Sequence, residues 1–99
     1  MDLAEVASAM TGRIGGKPPL GGTVKFDLGS DGCLFIDGTG GENVVVLNKN
    51  EPASCTIAMS AQDFGDMIQG LLLPAAAFMQ GKMQVDGDMG LAMRLGQLV

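Results

Sequence analysis

Strict alternation marks the first strand. From Thr23 to Leu28 the chain sets Val24, Phe26 and Leu28 on one side and Thr23, Lys25 and Asp27 on the other, the period-two pattern of a half-buried strand. Asp31-Gly32 is a hairpin turn signal, and Cys33-Leu34-Phe35-Ile36 follows as a strand apolar on both faces. Gly38-Thr39-Gly40-Gly41 turns the chain into Val44-Val45-Val46-Leu47, which predicts a three-stranded meander. After a loop over Asn48 to Pro52, a fourth strand at Cys55 to Met59 points Cys55, Ile57 and Met59 one way. A fifth, Lys82 to Asp86, carries Met83 and Val85 on one side.

The remaining hydrophobic positions repeat at helical spacing. Leu3, Val6, Ala7 and Met10 fall at i, i+3, i+4 and i+7, with Asp2 as N-cap, Glu5 as its capping-box partner and Gly12 as the expected terminator. Ser60-Ala61-Gln62-Asp63 is a second capping box, opening a helix that carries Phe64, Met67, Ile68 and Leu71 and ends at Gly70. Pro74 suits the first turn of a short helix to Gln80, closed by Gly81. Asp88 caps the last helix. At about 100° per residue, Leu98, Leu91, Leu95, Val99, Ala92, Met89 and Met93 occupy more than half its circumference, leaving Gln97, Gly90 and Arg94 a narrow polar wedge. An ordinary surface helix has a broad polar back, so this one is predicted to be buried twice or to face a ligand or partner. Strands and helices in this order indicate an α+β domain over residues 1–99, a twisted sheet with helices on one face and water on the other.

Composition narrows the function. Eight Met and no Trp or Tyr make the apolar bulk flexible, either as gap-filling core or as a deformable cavity. A net charge of −5 argues against nucleic acid and against purely electrostatic docking on anionic lipid. No apolar run is long enough to span a bilayer, no leader pattern is evident, and two Cys make no disulfide framework. A soluble, cytoplasmic protein is expected.

Conventional chemistry finds little support. The chain has no His, which removes most triads and zinc sites. Cys33 and Cys55 lie in apolar strands without a flanking base, whereas a reactive thiolate needs a positive, part-exposed setting. The Gly38–Gly41 stretch leads into a strand and not into the helix a phosphate loop requires. Asp86 and Asp88 lack further oxygen ligands at calcium-loop spacing. Asp63 and Asp66 sit on a solvated helix face, and the six basic residues are scattered. No catalysis, cofactor or metal is expected. What remains is an apolar surplus: Phe64, Met67, Ile68, Leu71, Leu72, Leu73, Phe78 and Met79 from the middle helices, Met89, Leu91, Met93 and Leu95 from the last, and Phe26, Ile57 and Met59 from the sheet. Leu71-Leu72-Leu73 is greasy where a turn should be polar, and such patches usually mark a ligand or interaction site.

Cys55-Thr56-Ile57-Ala58-Met59, Asp63-Phe64, Gly70, Pro74, Ala77-Phe78, Gln80-Gly81-Lys82 and Gly87-Asp88-Met89-Gly90-Leu91-Ala92-Met93-Arg94-Leu95 resemble the sterol carrier protein type-two family. The resemblance is specific over Ser54 to Leu98; over residues 1–53 only strand pattern and Gly placement agree. It implies a single five-stranded, mostly antiparallel sheet with helices packed on one face, enclosing an apolar tunnel. The implied activity is non-catalytic binding and transfer or presentation of fatty acid, fatty acyl-CoA, sterol or phospholipid. The implied tunnel wall is Phe64, Met67, Ile68, Phe78, Met79, Met83, Val85, Met89 and Met93, joined by Phe26, Ile57, Met59 and Leu71. Transient membrane contact, a homodimer or an enzyme partner are further expectations, and the alternative is an accessory module of the same fold that dimerises or docks on a lipid-metabolising enzyme. The first helix is short for the family, the leucine turn lacks basic residues, and Gln97-Leu98-Val99 is not a peroxisomal tripeptide. Exchange would need the cover to open, and either the last helix or the Leu71-to-Pro74 junction is the expected gate.

Overall fold

The alternating segments form one sheet in a computed structural model that describes residues 3–48 and 50–98. Its strands are β1 (Thr23–Asp27), β2 (Cys33–Asp37), β3 (Val44–Leu47), β4 (Cys55–Met59) and β5 (Met83–Gly87), in the order β3-β2-β1-β4-β5. All neighbours are antiparallel except β1 and β4, which run parallel. Register aligns Val24 with Ile36 and Cys55, and Phe26 with Leu34 and Ile57. Period two therefore gathers these side chains on one face. Onto that face pack α1 (Leu3–Ile14), α2 (Ala61–Ile68), α3 (Pro74–Met79) and α4 (Met89–Leu98), contributing Val6, Met10, Ile14, Phe64, Met67, Ile68, Ala77, Leu91 and Leu95 to a continuous buried core. Phe26 and Phe64 meet at its centre with ring centroids 4.5 Å apart. The Asp2 cap and the side chains of Leu3, Leu98 and Val99 lie outside the described residues.

Several boundaries differ from expectation. Gly12 does not end α1, which continues to Ile14. Ile14 lies one turn beyond Met10 and is fully buried, so its burial, worth about 1.5–3 kcal/mol, outweighs the roughly 1 kcal/mol that a helical glycine costs. The β1–β2 connection is not a two-residue turn. Leu28 is buried, Gly29–Asp31 forms a 3-10 turn, and Leu28 N donates to Gly32 O at 2.9 Å. β5 starts and ends one residue later than expected. The outer face of the sheet is also not simply open to water. The connection between β3 and β4 crosses it, with Lys25 Nζ donating to Asn50 Oδ1 at 3.1 Å and Ser54 N to Thr23 Oγ1 at 2.9 Å. Phe35, opposite Lys25 in register, is only 3% exposed, which accounts for β2 being apolar on both faces.

The helix ends follow local chemistry. Ser60 Oγ accepts from Asp63 N at 3.0 Å, and Asp88 Oδ1 accepts from Gly90 N at 2.9 Å and Leu91 N at 3.3 Å. α2 and α3 close with paired reversed bonds: Leu71 N to Asp66 O and Gly70 N to Met67 O, then Lys82 N to Ala77 O and Gly81 N to Phe78 O. The loop after α1 is held by Asn43, the buried polar residue of the core region. Its Oδ1 accepts from Leu20 N at 2.9 Å, while Nδ2 donates to Ile14 O and Pro18 O, each at 3.1 Å.

Candidate functional site

Three helices converge on the β1–β4–β5 side of the sheet and leave a small apolar void. Phe26 from β1, Ile57 from β4 and Met83 from β5 form its floor, with Met67 from α2, Pro74 from α3, and Ala92 and Leu95 from α4 closing it. Its volume is about 30 Å³, enough for one water-sized guest, and a lining without a hydrogen-bonding side chain gives water no reason to stay. Two methionines in the wall make it deformable, because unbranched side chains re-pack with little strain.

The walls are anchored unequally. Besides its Asp88 cap, α4 buries Leu91 and Leu95, and Arg94 Nη1 donates to Leu20 O at 2.8 Å, tying the helix to the loop after α1. By contrast α3 buries only Ala77. Its sequence, Pro-Ala-Ala-Ala-Phe-Met, offers no polar side chain to either side.

Four of the expected lining residues, Phe26, Ile57, Met67 and Met83, reach this void together. Met59, Phe64 and Ile68 are buried in the surrounding core, and Val85 is half-buried against it. Leu71, Phe78, Met79, Met89 and Met93 stand at the surface, Met79 being 85% exposed and Leu71 74%. The wall also includes Pro74, Ala92 and Leu95, which were absent from the expected lining. Leu95 carried a signal in the apolar arc of α4. Ala92 carried a weaker one, as a small side chain among large ones where something must come close.

The other features do not compete. A more open hollow of about 250 Å³ on the outer face is bordered by Lys25, Asp27, Cys33, Asn48 and Asn50; its polar rim does not suit a hydrocarbon. Cys55 is fully buried, and burial first, then the Asp88 and Asp86 carboxylates, push its thiol above the ordinary 9.0. It is protonated and inert near neutral pH. Among the described residues no cluster of His, Cys, Asp or Glu could hold a metal ion, and no helix is long and apolar enough to cross a membrane.

A mixed five-stranded sheet, helices on one face and an apolar hollow where three of them meet define the class: a small α+β domain built around an oily interior. The chain belongs to the SCP-2 sterol transfer family, whose model it matches over residues 18–99. It is 36% identical over 84 residues to human sterol carrier protein 2, an alignment covering 80% of this chain and 15% of that protein. The chain thus spans a small part of the curated relatives it matches. Among solved structures, palmitated SCP2L2 from Aedes aegypti superposes with a TM-score of 0.78 at 20% identity, covering 98% of this chain and 93% of that one. Sterol carrier protein domain 2 of Helicoverpa armigera gives 0.62 at 31% identity, covering 98% and 72%.

Proposed function

We propose that this domain binds the hydrocarbon tail of a lipid, as fatty acid, fatty acyl-CoA, sterol or phospholipid, and transfers or presents it without chemical change. The observation that carries the reading is the void over Phe26, Ile57, Met67 and Met83, which is lined by apolar side chains and walled on one flank by the lightly anchored α3. Family membership and the likeness to a palmitated relative support it.

Size sets the mechanism. Sites for small molecules occupy roughly 300–1,000 Å³, an order of magnitude above the present 30 Å³. Uptake therefore requires a wall to move outward. The less anchored wall is α3, so it is the proposed gate, hinging at Leu71–Leu73 and Gly81, while α4 stays pinned by Arg94 and Asp88. Each methylene removed from water contributes about 0.8 kcal/mol, so a long tail supplies several kcal/mol toward opening.

The test is native mass spectrometry of the purified protein with displacement of a fluorescent fatty acid. A co-purifying lipid and saturable displacement are expected, and Met67→Trp, filling the void from within the fold, should weaken binding at least ten-fold. Protein that is always empty and displaces nothing would refute the reading.

A further inference from the structure

Residues 71–79, Leu-Leu-Leu-Pro-Ala-Ala-Ala-Phe-Met, contain no side chain able to make a hydrogen bond, yet much of the segment faces water. Leu71 is 74% exposed, Leu73 69%, Phe78 49% and Met79 85%. A helix of this kind normally turns a polar face outward. Here Ala75, Phe78 and Met79 are all exposed, so the outer side of α3 is as apolar as its inner side.

Charge is distributed unevenly around it. The chain carries eleven acidic residues and a net charge of −5, but between Asp66 and Asp86 there is no carboxylate and one cation, the exposed Lys82. Exposed Gln69 and Gln80 flank the apolar run. The segment adds no carboxylate that phosphates would repel, and Lys82 can reach the headgroups.

Much of the segment's backbone is paired internally, although the start of α3 has no side-chain cap for the amides of Ala75 and Ala76. Leu71 N and Leu72 N donate to Asp66 O, Ala77 N to Leu73 O, Gln80 N to Ala76 O, Gly81 N to Phe78 O and Lys82 N to Ala77 O. Pro74, at the first helical position, has no amide hydrogen to satisfy. Amides that keep their partners do not oppose entry into a hydrocarbon boundary.

From these observations we infer that the leucine turn and the outer side of α3 form a bilayer-docking surface, which seats Leu71, Leu73, Phe78 and Met79 among acyl chains with Lys82 at the phosphates. The inference rests on the lipid-tail reading and adds where the exchange takes place: α3, the proposed gate, would open against the membrane itself.

The test is flotation of the full chain with phosphatidylcholine vesicles and with vesicles containing one-fifth phosphatidylglycerol. Leu73→Ser/Met79→Gln removes apolar surface without adding charge, and Ser suits the helix-capping position that Leu73 now occupies without a side-chain bond. The wild type should bind both vesicles, more tightly with phosphatidylglycerol. The double variant should lose at least ten-fold in vesicle affinity with a melting temperature no lower than that of the wild type. Lys82→Gln should abolish the phosphatidylglycerol preference. A wild type that stays unbound, a variant that binds equally well, or a wild-type oligomer that the double substitution makes monomeric overturns the inference, the last by assigning the surface to a second copy. Vesicle binding by a protein that displaces no fatty acid supports the docking surface and overturns the cavity reading alone.

Discussion

Asn43 accepts from Leu20 N and donates to Ile14 O and Pro18 O, so one side chain joins the end of α1, the glycine-rich loop and the approach to β3. Replacing it with Leu strips the buried Leu20 N of its acceptor at a cost of about 1–3 kcal/mol, whereas Ile14 O keeps Lys17 N at 3.1 Å and the carbonyl of exposed Pro18 can turn to water. Urea denaturation of Asn43→Leu should show a loss of about 1–3 kcal/mol, and a loss below about 0.5 kcal/mol would contradict the clamp. Nothing in the sequence marked this role, because an Asn after a Gly-rich turn reads as a turn residue. Cys55 was more legible: its apolar strand announced an inert thiol, and the structure places it at 0% exposure. Its raised thiol also fixes a pH dependence. The folded state holds this proton more tightly than the unfolded chain, so the contribution is complete below the ordinary 9.0 and is lost as pH rises through the higher folded value. The denaturation midpoint should fall above about pH 9 in the wild type, and this fall should be shallower in Cys55→Ala.

At the scale of elements, caps were easier to recognise than lengths. Ser60, Pro74 and Asp88 start helices where the sequence placed them, since each signal is contained within a few residues. Gly12 misled because a glycine ends a helix only when no later residue gains by extending it. The decisive fact was the burial of Ile14 against a sheet folded later in the chain. The two glycines at opposite ends of the fold should respond with opposite sign. Gly12 sits within α1 with open space around it, so Gly12→Ala should stabilise by about 0.5–1 kcal/mol through helix propensity. Gly87 has φ +103°, and a Cβ there would strike Ser54 O. Gly87→Ala should cost about 2 kcal/mol or more, because left-handed strain and a backbone clash act together. Thermal melts of the two variants against the wild type check both signs.

For the whole molecule, the α+β class and the meander were readable from periodicity, and the C-terminal half from its motif. The parallel pairing of β1 with β4 was not readable, because strand order depends on a crossover whose loop has no distinctive pattern. The apolar surplus was readable as an amount but not as a location. Counting greasy residues could not separate Met67 and Met83, which face the void, from Met79 and Met93, which face solvent. That division is what makes the molecule interpretable: a small apolar hollow inside, and an oily, lightly anchored wall outside. The most direct measurement is a titration of the ¹⁵N-labelled protein with oleate, followed by backbone amide shifts. The account predicts saturable changes concentrated on Met67, Met83, α3 and the Ala92–Leu95 turn of α4. Shifts gathered instead at the Lys25–Asn48–Asn50 hollow, or none at any oleate concentration below its micelle threshold, would contradict it.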